Sequence, residues 1–538
     1  MKNVRILDCT LRDGGRIIDC AFPDNMIHQI TDKLTRAKVD IIEVGFLRDW
    51  RNVEYKGNST FFTNVEQITP FLPSASHGAT YVAFVDFGMF DFESLTPMDG
   101  RSITGIRLGF TRKDYDNQRA PLIESFKIVQ ELGYKLFIQG VNSLNYSDRE
   151  LLDVVEMVNE IMPLGFGVVD TYGAMYVDDV TRLYNLVDHN LHRDIAIDFH
   201  SHNNFQLSFS FAQEVIRLSH GTRNIILDAT LAGMGKGAGN LSTELIADFL
   251  ERKMAYHYDL DILFDAIDEH LYDMRQKYHW GYSVTSLMSG IYKSHPNNVD
   301  YLTQKFRLDT KDIKNILSLL DEQERQRYDY DKIDQLLQDY NNTKYDDQKE
   351  MLRLSHLLGG EPILVLVPGG TLLSHKKEID AYIEQKHPII ISVNFISDYR
   401  DSYAFFANKK RYPALNTYQD VQLIVTSDIA LDSQNEIVVN YHNLINRGYK
   451  LYDNSAAMLL NLLKRLHVAE IAIAGFDGFS QNKDNYFDNS MEVERLDSQL
   501  DFINEELRKI LGKYFETVES FCRVSFVTPS MFEGLVQR

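Results

Sequence analysis

The segment IAIDFHSHNN, Ile195–Asn204, joins a short apolar run to a cluster of polar side chains at its carboxyl end. A run of this length and composition is typical of a buried strand in a parallel sheet. Because side chains alternate across a strand, His200 and His202 are predicted to project from the same face. Two imidazoles and an added oxygen ligand suit a divalent cation, although packing or hydrogen bonding would also explain an isolated pair.

Seven further runs of this kind lie between residue 1 and about residue 250, and longer helical segments separate them. The eight runs are VRILDC (4–9), DIIEVGF (40–46), TYVAFVDF (80–87), ITGIRLGF (103–110), YKLFIQGV (134–141), GFGVVDT (165–171), IAIDFH (195–200) and NIILDAT (224–230). Strands that alternate with helices at this spacing predict βαβ units and a parallel sheet. Eight such units predict a closed TIM (βα)8 barrel.

Polar residues follow several of these runs at the end where a TIM barrel has its active site. Asp13 follows the first run, and Asn240 lies in the loop AGMGKGAGN (232–240) after the eighth run, beside the first in a closed barrel. Together with His200 and His202 they are candidate metal ligands: two nitrogens and two oxygens, with positions left open for water or substrate. The loop glycines allow the backbone to approach a ligand closely, and a flexible surface loop is the alternative.

The candidate catalytic residues are Arg12 and Glu43. Arg12 can hold a permanent positive charge near an oxygen that becomes negative during reaction, or it can form a salt bridge to Glu43 or Asp86. Glu43 is expected to orient Arg12 or a metal-bound water. The candidate substrate-binding residues are Gly14, Asp170, Thr171, Gly235 and Lys236. Lys236 can meet an anionic group of a substrate, and a solvated loop lysine is the alternative.

Composition excludes several classes of function. The chain has 538 residues and a formal net charge of −21, and no block of Lys and Arg stands out, so we expect no nucleic-acid partner. Its 3 cysteines are too few for a disulfide framework, which favours a reducing compartment. The first residues lack a signal-peptide pattern and no apolar run approaches a membrane span, so a cytoplasmic protein without membrane contact is expected.

The chain is predicted to contain three parts. Residues 1–250 form the barrel, and residues 251–345 form an acidic, tyrosine-rich helical extension that packs on the barrel or serves as a partner-binding arm. The polar segment YNNTKYDDQKE (340–350) is the predicted boundary. Residues 355–538 contain too few strand candidates for a second barrel and are predicted to form a Rossmann-like α/β domain.

Four motifs in the first part carry a resemblance to a known family. LDCTLRDGG (7–15), IIEVGF (41–46), HSHNN (200–204) and GMGKGAGN (233–240) occur in this order on the first, second, seventh and eighth predicted strands. They resemble the DRE-TIM metallolyase superfamily, which includes 4-hydroxy-2-oxovalerate aldolase, 3-hydroxy-3-methylglutaryl-CoA lyase and the isopropylmalate and homocitrate synthases. The resemblance covers roughly residues 1–290.

The resemblance implies a divalent cation held by Asp13, His200 and His202, with Asn240 as a fourth ligand in some members. Mn²⁺ is expected, with Mg²⁺, Co²⁺ or Zn²⁺ as alternatives. The cation would chelate the carboxylate and the 2-oxo or hydroxyl oxygen of a small acid. Cleavage of a carbon–carbon bond would then give an enolate, which the metal and Arg12 would stabilise.

The sequence departs from the aldolase pattern in one respect that matters for chemistry. The aldolases usually have a histidine shortly after RDG as the catalytic base, and this chain has Arg16 near that point. The open candidates for a replacement are His28, Asp19, Tyr282 and metal-bound hydroxide. The glycine loop also lacks the cysteine of the hydroxymethylglutaryl-CoA lyases, which counts against that activity.

The last part contains candidate ligand-binding residues of its own. Gly369 and Gly370 lie between a predicted strand and a helix, where backbone N–H groups can hold phosphate, and Ser455 and Asp477 are expected at a neighbouring crevice. Short segments are weakly similar to the 6-hydroxymethylpterin diphosphokinase-like family, which implies a nucleotide or nucleotide-sugar ligand. A structural or oligomerising domain is the alternative.

Three functional hypotheses follow. The leading one is a metal-dependent aldolase or lyase that acts on a pyruvate-type 2-oxo acid through an enolate. The second is a Claisen-type acyltransferase that condenses acetyl-CoA with a 2-oxo acid. The third is a non-catalytic metal- or ligand-binding module that serves the C-terminal domain. A homo-oligomer is expected in each case.

Overall fold

The structure is a computed structural model that describes residues 3–306, 310–343, 345–400, 402–408, 411–412, 421–431, 436–449, 451–480, 485–491 and 497–536. The chain forms two compact units, the first comprising Met1–Gln304 and Leu308–Tyr330, the second Lys305–Arg307 and Asp331–Arg538. The division falls at Tyr330, ahead of the polar segment at 340–350. Among the described residues, no helix combines the length and the hydrophobicity that crossing a membrane requires.

The first unit is built around a closed parallel barrel, as the sequence predicts. Its strands are β1 Val4–Asp8, β2 Ile41–Leu47, β3 Phe61–Phe62, β4 Thr80–Asp86, β5 Gly105–Phe110, β6 Lys135–Gly140, β7 Gly165–Asp170, β8 Ala196–Ser201 and β9 Ile225–Ala229. The barrel closes because β1 pairs in parallel with both β2 and β9. The two-residue β3 pairs only with β2 and is an addition to the eight barrel strands.

Helices α1 to α6 follow six of the barrel strands, and further helices complete the unit. They are α1 Asp24–Arg36, α2 Arg112–Glu131, α3 Asp148–Ile161, α4 Val177–Asn190, α5 Ser208–Ser219, α6 Thr243–Met254, α7 Leu260–His270, α8 Tyr272–Tyr278, α9 Val284–Ile291, α10 Pro296–Phe306, α11 Thr310–Leu319 and α12 Glu322–Gln326. In the connections after β2 and β4, the helical segments are all 3-10 turns. Prolines and glycines in both connections, including Pro70, Pro73 and Gly88, disfavour longer helices there.

The barrel interior has an apolar floor with a polar layer above it. Leu7, Ile41, Val82, Phe137, Ala196 and Ile226 form the floor. Two residues further along several strands, inward positions are polar and buried, namely Glu43, Arg107, Gln139, Asp198 and Asp228. Because side chains alternate with period two, the next inward residue on β8 is His200, at the carboxyl end of the barrel.

Arg107 lies at the centre of the polar layer and is fully buried. Its guanidinium donates to Glu43 at 3.0 Å, to Asp198 at 2.8 Å and to Asp228 at 2.6 Å. Burial and the neighbouring charge of Asp228 raise the pKa of Asp198 to about 7, against the effect of Arg107. Gln139 donates a further hydrogen bond to Asp198 at 2.5 Å. The barrel interior is therefore held by one cation shared among three carboxyl groups.

The second unit contains an open sheet of seven parallel strands. They are β10 Ile363–Leu366, β11 Ile389–Val393, β12 Tyr403–Phe406, β13 Gln422–Thr426, β14 Glu436–Val439, β15 Glu470–Ala474 and β16 Arg523–Phe526, in the order β14-β13-β12-β11-β10-β15-β16. Five of them correspond to the runs PILVLV, PIIISVNF, VQLIVTSD, EIVVNY and AEIAIAG, which the sequence predicts as strands. The sequence interpretation missed β12 and β16.

Helices cover both faces of this sheet. They are α14 Gln348–Leu358, α15 Thr371–Ser374, α16 Lys376–Lys386, α17 Ser455–Arg465 and α18 Asp497–Val518, and α13 Tyr330–Thr343 precedes them in the chain. Ile363 and Val365 of β10 pack in one core with residues of α14, α17 and α18. Leu364 and Leu366 pack on the other face, against Ile379 of α16.

We expect Arg107→Met to destabilise the barrel by about 3–5 kcal/mol, because it leaves three buried carboxyl groups without their cation. The measurement is chemical denaturation followed by fluorescence, with Arg149→Met on the exposed surface of α3 as the matched control. Equal stability of Arg107→Met and the control would contradict this role for Arg107.

Candidate metal and substrate site

The turn after β1 places Arg12 and Asp13 above the barrel. The backbone N–H groups of Arg12, Asp13 and Gly14 all donate to the carbonyl oxygen of Cys9, at 3.1, 2.9 and 3.2 Å. This tight turn ends in a 3-10 segment, Gly14–Ile18. The two residues are therefore held rigidly at the carboxyl end of the first strand.

Asp13, His200 and His202 meet at this end of the barrel. Asp13 Oδ2 lies 3.8 Å from Nε2 of His200 and 3.8 Å from Nε2 of His202. One potential ligand atom from each of the three residues lies within 4.8 Å of the other two. Ligand atoms that each coordinate a cation at about 2.0–2.2 Å stand at comparable separations. The three side chains thus have the arrangement that the sequence predicts for a metal site.

Hydrogen bonding and burial prepare these groups as ligands. Asp228 lies 3.0 Å from His200 Nδ1, so this nitrogen carries the proton and Nε2 keeps its lone pair. Burial lowers the pKa of both His200 and His202 to about 4, so both are neutral at ordinary pH. Burial alone would raise the pKa of Asp13, but Arg12 and the two imidazoles outweigh it and hold that pKa well below its usual range.

Asn240 reaches the same site from the glycine loop. A backbone bridge joins it to His202, and its side-chain Nδ2 donates to Asp13 Oδ2 at 3.1 Å and to the Met234 carbonyl at 3.0 Å. Its Oδ1 is buried and has no hydrogen-bond partner. An unpartnered buried oxygen beside a carboxylate and two imidazoles fits a site for a divalent cation.

Gly235 supports Asn240 instead of facing the cavity. A Cβ atom at Gly235 would lie 2.6 Å from Asn240 Nδ2, so a larger residue would displace that side chain. Gly14 has a similar packing role, because a Cβ atom there would lie 3.3 Å from the Met234 carbonyl oxygen.

A second group of potential ligands, Cys9, His200 and Asp228, lies nearby. Burial raises the pKa of the Cys9 thiol well above its usual value, so it is protonated. Asp228 is already engaged by Arg107 and by His200. This group is therefore unsuited to bind a metal, and it belongs to the framework below the site.

Arg12 is fixed from two sides. Its Nε donates to Glu43 at 2.5 Å and its Nη1 donates to Asp13 at 2.6 Å. The guanidinium also lies 4.5 Å from the centre of the Phe84 ring. Within the described part of the chain Nη2 has no hydrogen bond, so it is available to a substrate. Of the two salt bridges that the sequence suggests for Arg12, the one to Glu43 is present. Asp86 pairs instead with Arg48, at 2.6 Å.

A cavity of about 220 Å³ lies above these groups. It is lined by Arg12, Asp13, Arg16, Phe84, Asp86, Gln139, Val141, Val169, Thr171, Tyr172, His200, His202, Asp228, Lys236, His295 and Pro296. Of the candidate substrate-binding residues, Thr171 and Lys236 are among the lining residues. Asp170 is buried, and its carboxylate accepts the backbone N–H groups of Ala174 and Met175.

The sequence interpretation missed three residues of the site: Arg107, Asp228 and His295. Strand alternation was sufficient to place Arg107 and Asp228 on inward positions, but it could not show that they contact each other. His295 comes from the segment before α10, which has no motif. The suggested bases Asp19, His28 and Tyr282 are exposed and are not among the residues that line the cavity.

The candidate residues of the second unit only partly meet. Gly369 and Gly370 follow β10, and Asp477 follows the adjacent β15, where the strand order reverses. Asp477 accepts hydrogen bonds from the backbone N–H of Thr371, at 2.8 Å, and from its hydroxyl. Ser455 begins α17 after β14, four strands away from β10. Among the described residues, no hydrogen bond joins Ser455 to Gly369, Gly370 or Asp477.

Comparisons with known proteins concern the first unit. Residues 108–268 match the family model described as HMGL-like. The chain is 23% identical over 320 residues to 4-hydroxy-2-oxovalerate aldolase of Bacillus cereus, covering 58% of this chain and 89% of that protein. It is 26% identical over 263 residues to 4-hydroxy-2-oxovalerate aldolase of Roseiflexus castenholzii, covering 49% of this chain and 75% of that protein.

Among solved structures, the N-terminal domain of a putative aldolase from Bacteroides vulgatus is similar, with 24% sequence identity and a TM-score of 0.45. The match covers 56% of this chain and 97% of that domain. The HMG-CoA lyase from Brucella melitensis matches with 15% identity and a TM-score of 0.41, covering 49% of this chain and 96% of that one.

We expect Asp228→Asn to weaken binding of a divalent cation by about 10- to 100-fold, because the amide no longer fixes the proton on His200 Nδ1. Calorimetric titration of chelator-treated protein with Mn²⁺ measures the change. Asp153→Asn, at an exposed position of α3, is the matched control. Unchanged affinity in Asp228→Asn would show that the orientation of His200 does not depend on this carboxylate.

Proposed function

We propose that the barrel, which belongs to the DRE-TIM metallolyase superfamily, cleaves or forms a carbon–carbon bond beside the carbonyl group of a pyruvate-type 2-oxo acid. The chain is accordingly a lyase, and its aldolase activity would resemble that named for its relatives. The observation that carries the proposal is the convergence of Asp13, His200 and His202 beside Arg12, whose Nη1 donates to Asp13.

Asp13, His200 and His202 would hold a divalent cation, with Asn240 Oδ1 as a further ligand, and Mn²⁺ is the ion that we propose. When bound, such a cation supplies a Lewis acid and a template for the oxygens of the acid. The neutral imidazoles and the ionised carboxylate are already in the protonation states that binding requires. Binding of the cation would therefore require little change in the protonation of these side chains.

Arg12 is the residue that we assign to the developing negative charge of the enolate. Burial disfavours its charge, but Glu43 and Asp13 raise its pKa above the ordinary value, so the guanidinium stays protonated throughout the reaction. Glu43 is 1% exposed and is bound by Arg12 and Arg107 at once. Glu43 thus positions Arg12 and is not itself a base.

His295 is our candidate for proton transfer, since the histidine that the aldolases have near Arg16 is absent. The backbone N–H of Asn297 donates to His295 Nδ1 at 3.2 Å, which leaves the ring proton on Nε2. Burial, together with the charges of Lys236 and Arg16, lowers the pKa of His295 to about 4, so the ring is neutral. In the direction of bond formation, Nε2–H can hydrogen-bond to the oxygen of the carbonyl partner and guide the transfer of a proton from water to that oxygen.

Thr171 and Lys236 are proposed to contact the substrate from the cavity wall. For the second unit, a nucleotide or nucleotide-sugar ligand beside Gly369, Gly370 and Asp477 stays a proposal, as does a homo-oligomeric assembly. Neither is required for the chemistry of the barrel.

We expect the full chain, stripped by chelator and reloaded with Mn²⁺, to release pyruvate from 4-hydroxy-2-oxo acids, and chelator alone to abolish the release. His200→Ala should lose the metal and the activity together. Arg12→Met should keep the metal and lose about 10²- to 10³-fold in kcat, because the charge beside the enolate is gone. Coupled assay with lactate dehydrogenase and elemental analysis of the metal check these outcomes.

Arg149→Met on the outer surface is the control for the arginine substitution. Release of free CoA from acetyl-CoA and a 2-oxo acid, without pyruvate release, would replace the aldolase by the Claisen-type reaction. Bound metal without turnover in either assay would leave a ligand-binding module. Failure of the wild type to bind a divalent cation at all would contradict the proposal.

A further inference from the structure

Two cationic side chains, Arg16 and Lys236, lie on adjacent loops at the mouth of the barrel and line the same cavity. Arg16 belongs to the 3-10 turn Gly14–Ile18 after β1, and Lys236 belongs to the glycine loop after β9. Since β1 and β9 are paired strands, the two loops are neighbours on the rim of the opening. The metal-ligand arrangement requires neither residue.

The guanidinium of Arg16 has N–H groups that remain available to a ligand. Its guanidinium lies 4.7 Å from the centre of the Phe46 ring, which holds its plane. Its two nearest carboxylates are at 3.5 Å, in Asp13, and at 3.7 Å, in Asp86. Each of those carboxylates has a shorter ion pair, at 2.6 Å, with Arg12 and Arg48 respectively. Across the described residues, the Arg16 side chain makes no hydrogen bond.

Lys236 has even less compensation for its charge. Its ammonium group donates to the amide oxygen of Asn297 at 2.8 Å, and the side chain is half-buried. Over the described ranges of the chain, no carboxylate lies within 4.0 Å of it. Burial and repulsion by the charge of Arg16 lower the pKa of Lys236, although Asp19, Asp300 and Asp13 act in the opposite direction. An anion bound by both would remove that repulsion.

The surrounding charges make this pair unusual. The chain carries a formal net charge of −21, so an anionic molecule is repelled by the protein as a whole. The other cation that lines the cavity, Arg12, is paired with Glu43 and Asp13, and we assign its remaining nitrogen to the enolate. Arg16 and Lys236 are therefore the groups available to a second negative charge on a bound molecule.

We propose that Arg16 and Lys236 form a subsite for a second anionic group of the substrate, so that the natural substrate is a dianionic 2-oxo acid. One carboxylate lies beside the oxo group, and the second group, a carboxylate or a phosphoryl group, lies further along the carbon chain. This inference rests on the proposed function, since it takes the 2-oxo acid to bind at Asp13, His200 and His202. It also gives a reason for arginine at position 16: its reach and its fork of donors suit an anionic oxygen pair better than histidine does.

The test compares binding of two unreactive acids of equal length, 2-oxoglutarate and 2-oxopentanoate, to the Mn²⁺-loaded full chain by calorimetry. The two differ only in the distal carboxylate. We expect 2-oxoglutarate to bind about 10- to 100-fold more tightly. Arg16→Met and Lys236→Met should each weaken 2-oxoglutarate binding about 10-fold or more and affect 2-oxopentanoate far less. 2-Oxo-4-phosphonobutanoate provides the phosphoryl arm of the experiment.

Lys127→Met on α2 and Arg149→Met on α3, both exposed, are the matched controls and should leave both affinities unchanged. Tighter binding of the phosphonate than of 2-oxoglutarate would assign the second group as phosphoryl. Equal binding of 2-oxoglutarate, the phosphonate and 2-oxopentanoate, or no binding of any of them, would overturn the subsite. Turnover of monoanionic 4-hydroxy-2-oxo acids without a dianion preference would refute the subsite and leave the aldolase proposal intact. A dianion preference without turnover would support the subsite and refute the aldolase proposal.

Discussion

The ion-pair network of Arg107 is the constraint on which the geometry of the site depends. A fully buried guanidinium is tolerated only where its charge is compensated, and here the carboxyl groups of Glu43, Asp198 and Asp228 compensate it. Two of these carboxylates also contact residues of the candidate site. Glu43 holds Arg12, and Asp228 holds the ring of His200. Loss of Arg107 would therefore disturb a metal ligand and a charge-stabilising residue together, although it touches neither a metal nor a substrate.

The charged groups of the cavity fall into two regions, one around the candidate metal ligands and one at the mouth. The imidazoles of His200 and His202 are neutral and Asp13 is ionised. Arg12 is protonated, and its positive charge is paired with the carboxylates of Glu43 and Asp13. The mouth differs, because there Arg16 and Lys236 lack close partners of their own. Preorganised dipoles and charges of this kind stabilise charge that develops in a reaction without further rearrangement. In our proposal, the groups that perform chemistry are thus separate from those that select the substrate.

The sequence was sufficient to predict the barrel, because eight apolar runs with regular spacing leave few alternative folds. It also predicted the convergence of Asp13, His200 and His202, since their positions at strand ends follow from alternation and from the closure of the barrel. The contacts between polar side chains inside the barrel could not be predicted from the sequence in the same way. The contacts of Arg107 join β2, β5, β8 and β9, and nothing in the individual strands specifies which polar residues meet. His295 and the short strands β12 and β16 were missed because neither periodicity nor a motif marks them.

The central claim is that Arg12, held by Glu43 and Arg107, stabilises the enolate of a 2-oxo acid at a metal site. Exchange of the C3 protons of pyruvate for deuterium, followed by NMR in D₂O, tests enolate formation without knowledge of the second substrate. We predict that the Mn²⁺-loaded wild type exchanges these protons well above the rate of Mn²⁺ in buffer, and that Arg12→Met retains metal but loses the exchange. Exchange no faster than the buffer rate in the metal-loaded wild type, or full exchange in Arg12→Met, would contradict the claim.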